Sequence, residues 1–279
     1  MLLPVTTILS LVLLAAVNAF SLTSSLSTYT ITEVPIEDKS THHEQYSTSI
    51  GERIKNGESI LQIEDLVTPT ECKYIIEEVL RQDAAPTTLE KPGLVRLPSR
   101  AAAERAAASN IPCADPLSAD VDNLLHTILK RAASVMTEQI PSLSEVLFNG
   151  ESVCQLLETK RIKFSSREPA INIYTPKGEF LAHKDAQAIT VLIPLSCPEQ
   201  FRGGGTSFWS QDSRGHRVED PTIILKPPAG TAMLFGGCVT HAGVSVEDGV
   251  RVVFVASFSS ATEGSPVIME HRDIYGDSL

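Results

Sequence analysis

The chain has 279 residues, with 23 Lys and Arg against 34 Asp and Glu, so its formal net charge of −11 repels polyanions and leaves no basic footprint for a phosphate backbone. An apolar fraction of 42% with 20% charged residues suffices for a sizeable core and excludes global disorder. One folded domain plus a leader is expected at this length, with no nucleic acid as partner.

Residues 1–19 form an apolar run ending in small residues, with a cleavage point after Ala19, and read as a signal peptide. The alternative, a membrane anchor, is disfavoured because Pro4, Thr6, Thr7 and Ser10 interrupt the apolar length, so no span is expected once the peptide is removed. Residues 20–58 are a Ser/Thr-rich leader with no acid before Glu33, expected to be disordered. Phe20 followed by hydroxyl-rich sequence resembles the two-part presequences that route proteins into algal secondary plastids, although no Lys or Arg precedes Lys39. The expected destination is the secretory pathway, ER lumen or exterior, with the plastid as the alternative. No retention tetrapeptide or Asn-x-Ser/Thr sequon is present, and the terminal Gly276-Asp277-Ser278-Leu279 is a chance match to a lipase motif. Cys72, Cys113, Cys154, Cys197 and Cys238 are odd in number, so at least one is unpaired in a monomer, and their scatter builds no zinc module.

The folded domain is expected over 59–262, helical over 59–160 and β-rich over 161–262, with a tail at 263–279. Thr68, Pro69 and Glu71 supply an N-cap, a first-turn proline and the acid of a capping box, predicting a helix of about three turns packed through Ile75, Ile76, Val79 and Leu80. Residues 83–117, rich in Ala, Pro and Arg, read as irregular connection or short helix. A second helix starts near Ser118, with Asp120 and Asp122 in its first turn, a stripe through Val121, Leu124, Leu125, Ile128, Val135 and Met136, and a stop at Pro141. His126 falls off that stripe, on the surface. After Lys160 the period changes to short β-rich runs at 171–175, 189–195, 222–226, 231–235 and 250–258, separated by turn residues. A helical half followed by many short strands defines an α+β fold: a double-stranded β-helix (jelly-roll) core with N-terminal helices packed on its outside. Residues 209–221 are expected to form a mobile loop over one mouth of the barrel.

The chemistry starts at Leu181-Ala182-His183-Lys184-Asp185. Residues i and i+2 at a strand end point the same way, so one imidazole and one carboxylate face one interior. The triplet alone is weak, because a surface pair has the same spelling. His241 follows the strand-like run at 231–240, and two His with one carboxylate on a β-scaffold form the facial triad that suits non-haem Fe(II) and leaves three coordination sites open. Arg251 lies ten residues beyond His241 inside Val250-Arg251-Val252-Val253-Phe254. A guanidinium in such a strand needs a carboxylate, either an internal acid or a dicarboxylate ligand, unless it reaches water at an edge.

The run NIYTPKGEFLAHKD, then FRGGGTSFW, then PPAGTAMLFGGCVTHAGVSVEDGVR resembles the prolyl 4-hydroxylase-like branch of the Fe(II)/2-oxoglutarate-dependent dioxygenases, over roughly residues 60–260. That resemblance implies iron held by His183, Asp185 and His241, and 2-oxoglutarate held by Arg251 where many collagen-type members carry Lys. Tyr174 and Thr206 correspond to positions that hydrogen-bond the cosubstrate; their alternatives are a core tyrosine and a turn threonine. Asn172 with Tyr174 also resembles the Asn-x-Tyr of AlkB-type nucleic-acid demethylases, which carry a second Arg six residues after the first, where this chain has Ser257. Gly203 to Gly205 and Gly236-Gly237 permit positive φ and close backbone approach near the iron, or serve plain turns.

The implied reaction consumes 2-oxoglutarate and O2, releases succinate and CO2, and hydroxylates an unactivated C–H bond, with ascorbate as reductant. The substrate expected is a prolyl peptide, or a free amino acid or small metabolite, selected by Trp209, the loop 210–220 and the segment 83–117. The rival class is a non-catalytic, cupin-like barrel that binds metal or ligand. Oligomeric state is not encoded in any motif.

Overall fold

The computed structural model describes residues 28–36, 49–83, 93–211 and 217–261. The expected signal peptide, the tail 263–279 and loop residues 212–216 lie outside the described residues.

Two antiparallel sheets face each other. The larger runs in the order β1 (Ile31–Pro35), β2 (Ser59–Ile63), β11 (Ala232–Gly236), β7 (Ile189–Pro194), β14 (Arg251–Ser260), β5 (Ala170–Tyr174), β3 (Leu94–Pro98), with β4 (Ile162–Phe164) also on β14. The smaller runs β10 (Ile223–Leu225), β9 (Thr206–Trp209), β12 (Thr240–Gly243), β6 (Phe180–His183), and β8 (Phe201–Gly203) pairs with β13 (Val246–Gly249) as a separate ribbon. Along the chain β5, β7, β11 and β14 fall in the large sheet, while β6, β9, β10 and β12 fall in the small one. That alternation is the double-stranded β-helix, as expected.

Six helices are described: α1 (Ile50–Asn56), α2 (Pro69–Asp83), α3 (Arg100–Ala108), α4 (Ala119–Glu138), α5 (Pro141–Leu147) and α6 (Val153–Glu158). The α2 capping box forms as read, with Thr68 N–H donating to Glu71 Oε2 at 2.8 Å and Glu71 N–H to Thr68 Oγ1 at 3.2 Å. Ile75 and Val79 are buried, but Leu80 is 37% exposed and leaves the expected packing face. Pro141 opens α5 as well as ending α4, since a proline in a first turn loses no helical bond.

Strand parity sets everything at the site. The outward faces of the large sheet, carrying Ile171, Ile173, Val191, Ile193, Leu234, Phe254 and Phe258, merge with helical residues such as Leu125, Ile128 and Leu156 into one core. The inward residues between the sheets, among them Leu94, Tyr174, Leu192, Met233, Phe235 and Val253, pack with Phe208 of the small sheet into a second core. Because the period is two, Arg251, Val253, Val255 and Ser257 share the inward face of β14, as Asn172 and Tyr174 do on β5.

Three expectations need correction. The leader is ordered in part. Ile31–Pro35 pairs with β2 in full register, and α1 is capped by Ser49, whose Oγ accepts from Glu52 N–H, and closed by Gly57 at φ 76°. The domain therefore begins well before residue 59: β-branched alternation and a local cap overrode polar composition. Within 83–117, Arg100–Ala108 is a short helix, one of the two expectations, but Leu94–Pro98 is an unexpected strand on β5. Trp209 ends β9, buried, and donates its indole N–H to Glu219 O at 3.4 Å.

Candidate active site

His183 ends β6 and His241 sits on β12, and the two are cross-strand partners with ring centroids 4.3 Å apart. Asp185 lies two residues past β6. His183 Nε2 is 3.3 Å from Asp185 Oδ1, and His241 Nε2 is 3.5 Å from Asp185 Oδ2. All three ligand atoms lie within 4.8 Å of one another, the only such His/Cys/Asp/Glu cluster among the described residues.

The rings are oriented from behind. His183 Nδ1 is 2.8 Å from Leu181 O and His241 Nδ1 is 3.2 Å from Val239 O. A carbonyl only accepts, so each Nδ1 carries the proton and each Nε2 turns its lone pair inward. Thr190 Oγ–H donates to Asp185 Oδ2 at 2.5 Å and has Ser257 Oγ at 3.2 Å. With its one proton committed, Thr190 accepts from Ser257, and the two hydroxyls brace the carboxylate.

Two lone pairs and a carboxylate aimed at one point form a group that could hold a cation. Burial works against ionisation of Asp185, yet the facing His241, His183 and the Thr190 hydroxyl outweigh it and hold the carboxyl below its usual range. Burial pushes His241 down to about 4, keeping it neutral. For His183 burial is overcome by the Asp185 hydrogen bond and charge, which raise it. Without metal, His183 is thus the proton's place. Since the same lone pair can bind either proton or metal, any metal affinity is expected to be full at alkaline pH and to fall as pH drops through the raised His183 value, starting above the ordinary ~6.5 of histidine. Fe(II) or Co(II) titration across that range checks this; an affinity flat down to about pH 5 would contradict it.

The donor set fits a divalent iron: two neutral imidazoles and one carboxylate, with no fourth protein ligand among the described residues to close the tetrahedron a structural zinc prefers. The second-sphere brace yields its own expectation. Thr190→Val keeps the shape and removes the donor, and metal affinity or turnover is expected to fall about 10- to 100-fold. A purely structural Thr190 would lower Tm and leave the metal titration unchanged.

The cleft over this centre has about 350 Å³ of empty space, its solvent-open mouth included. Arg251 is 2% exposed, donates from Nη2 to Thr206 Oγ1 at 2.9 Å, and lies over the Tyr174 ring at 5.0 Å. No carboxylate pairs with it among the described residues. Gly204, at φ 62°, makes room for this arrangement: a Cβ there would come within 2.8 Å of the Phe201 ring and 3.3 Å of Arg251 Cδ. Asn172 Nδ2 donates to Tyr174 Oη at 3.4 Å. All seven residues singled out in the sequence, His183, Asp185, His241, Arg251, Tyr174, Thr206 and Asn172, line this one cleft.

Trp209, expected to select substrate, does not line it. Sequence reading missed Arg96, Glu168, Phe180 and Leu192, which do, and Thr190, which braces from behind. A signal for Arg96 existed: Leu94-Val95-Arg96-Leu97 is a lone arginine in an apolar run, as at Arg251. Gly203 to Gly205 have positive φ as expected, whereas Gly236 and Gly237 do not; a Cβ on Gly237 would instead collide with the Gln187 backbone.

No family model matches the chain, and no curated protein matches it. Among solved structures it is similar to a Pseudomonas putida prolyl-4-hydroxylase, at 13% identity over 72% of this chain and 92% of that one, with a TM-score of 0.44. A viral collagen prolyl hydroxylase from Paramecium bursaria Chlorella virus-1, in complex with 2-oxoglutarate, aligns at 13% identity over 75% and 99%, with a TM-score of 0.41. A non-haem α-ketoglutarate-dependent carbocyclase from nogalamycin biosynthesis aligns at 11% identity over 77% and 85%, with a TM-score of 0.46.

Proposed function

We propose that the chain is an Fe(II)- and 2-oxoglutarate-dependent dioxygenase that hydroxylates a C–H bond of a prolyl peptide or of a free amino acid or small metabolite. The observation that carries this reading is the pairing, in one cleft, of a His183–Asp185–His241 donor set with a buried arginine that meets no carboxylate among the described residues. His183, Asp185 and His241 would hold the iron, and Arg251, with Thr206 and Tyr174 beside it, the distal carboxylate of the 2-oxo acid. Iron and 2-oxoglutarate, when bound, supply the oxidising chemistry, with succinate and CO2 as by-products.

The chain's own residues supply position and environment. Leu181 O and Val239 O keep both imidazoles in the ligating tautomer, and Thr190 keeps the carboxylate turned toward them. Leu192, Val255 and Phe180 supply apolar wall that displaces water around the charged groups. Ascorbate as reductant belongs to the same proposal, as do entry into the secretory pathway, with an algal plastid as the alternative, and the exclusion of nucleic acid as substrate, which the net charge of −11 supports.

Succinate release from 2-oxoglutarate by the purified chain with Fe(II) and O2 tests the reading. A cupin-like binding barrel would take up metal and release none, and that result would replace the enzyme with a binding protein.

A further inference from the structure

Arg96 stands on the inward face of β3, with Asn172 as its Cα partner on β5. Its Nε donates to Asn172 Oδ1 at 2.8 Å, its Nη2 lies 3.3 Å from Glu168 Oε1, and its Cζ lies 5.3 Å from the centre of the Phe180 ring. Phe180 in turn packs on the His183 imidazole, centroids 4.6 Å apart. One aromatic ring therefore separates this guanidinium from a ligand of the candidate metal.

The pair with Glu168 is not built like the two arginine–glutamate pairs at Glu71 and Glu33. Arg131 meets both oxygens of Glu71, at 2.9 and 3.1 Å, and Arg53 both of Glu33, at 2.6 and 2.7 Å. Arg96 reaches only one oxygen of Glu168, at long range, because the other accepts the Ser257 backbone N–H at 2.6 Å. Nη1 has no acceptor among the described residues. The Arg96 side chain is 11% exposed and lines the cleft.

We propose that Arg96 docks a carboxylate of the organic substrate, so that the substrate is a small carboxylic acid such as a free amino acid, not an internal residue of a peptide. The proposal rests on the dioxygenase reading and narrows its substrate class. A planar guanidinium with a free edge matches two carboxylate oxygens side by side, whereas a single amide carbonyl would leave one donor and much of the charge unmet in a largely desolvated wall. Two inward arginines then divide the cleft. Arg251, fully buried against Thr206, takes the cosubstrate; Arg96, nearer solvent and against Phe180, takes the substrate. Asn172 lies between them, accepting from Arg96 and donating to the tyrosine beneath Arg251.

The test is equilibrium binding to the chain loaded with Zn(II), which is redox-inert, and 2-oxoglutarate, using free L-amino acids, their C-terminal amides and a capped prolyl dipeptide as probes. The variants are Arg96→Lys and the double variant Arg96→Gln/Glu168→Gln, which removes the charge pair without stranding a buried carboxylate. At least one free acid is expected to bind, with its amide about tenfold weaker or more. The double variant should lose that preference while binding 2-oxoglutarate within about threefold of wild type, and Arg96→Lys should keep part of it. With Fe(II), the double variant should raise the acid's KM far more than it lowers kcat. Amides or the capped dipeptide binding as tightly as acids, no acid binding at all, or loss of 2-oxoglutarate binding in the double variant would each overturn the assignment. Wild-type chain that fails to bind 2-oxoglutarate sinks the dioxygenase reading itself, an outcome distinct from 2-oxoglutarate binding without any acid.

Discussion

Asp185→Ala is expected to abolish succinate release and to weaken Fe(II) binding by well over a hundredfold, while the fold persists. Asp185 is the only anionic member of the donor set, and second-sphere changes alone cost about 10- to 100-fold, so losing a ligand costs more. Its side chain lies at the cleft end past β6, and the Thr190 hydroxyl it releases keeps Ser257 as a partner, so the packed cores are untouched. Asp185→Asn separates charge from shape: the amide oxygen still accepts from Thr190 but brings no negative charge, and it too should fail to hold iron. Metal titration with succinate assay decides this. A variant that keeps iron and turnover would remove Asp185 from the centre and return the triad to a chance grouping.

The second large effect concerns Arg251→Met, and its sign differs between the ligand-free and ligand-bound states. In the ligand-free chain the guanidinium is buried against the Thr206 hydroxyl and the Tyr174 side chain, with no carboxylate beside it among the described residues, which makes burial costly, so the methionine variant is expected to melt no lower than wild type. With 2-oxoglutarate the order reverses. A buried charge pair lost by truncation costs about 2–5 kcal/mol, so affinity should fall by roughly 30- to several-thousandfold, and the rise of Tm that ligand gives wild type should vanish. Arg251→Lys keeps the charge, loses the Nη2 bond to Thr206 and the planar fork, and should fall in between. Thermal shift with and without 2-oxoglutarate reads both states in one experiment. An Arg251→Met chain that is strongly destabilised and still shifted by 2-oxoglutarate would make the arginine structural.

Much of this was legible before folding. His183 and Asp185 were readable as a pair because a strand's period of two is a local rule, and Arg251 because a lone charge in an apolar run needs a partner wherever the run goes. The capping box at Thr68 and Glu71 is local in the same way. The ordering of residues 31–35 was hidden, since a five-residue strand within a polar stretch is held by its pairing with β2. The same holds for Leu94–Pro98, whose pairing with β5 joins residues more than seventy positions apart.

The amino-acid sequence by itself determined the His183–Asp185 pair, the anion-seeking arginine and the change from helical to strand period, because each follows from spacing within one short segment. Only the tertiary structure decided which acid, hydroxyl and ring surround them. Strand order brings Thr190 opposite Ser257, His183 opposite His241 and Arg96 opposite Asn172, and parity then turns Arg96 and Asn172 into the cleft and sets Thr190 and Ser257 behind Asp185. Cross-strand neighbours are set by hydrogen-bonded register between distant segments, and register is not written in any one of them.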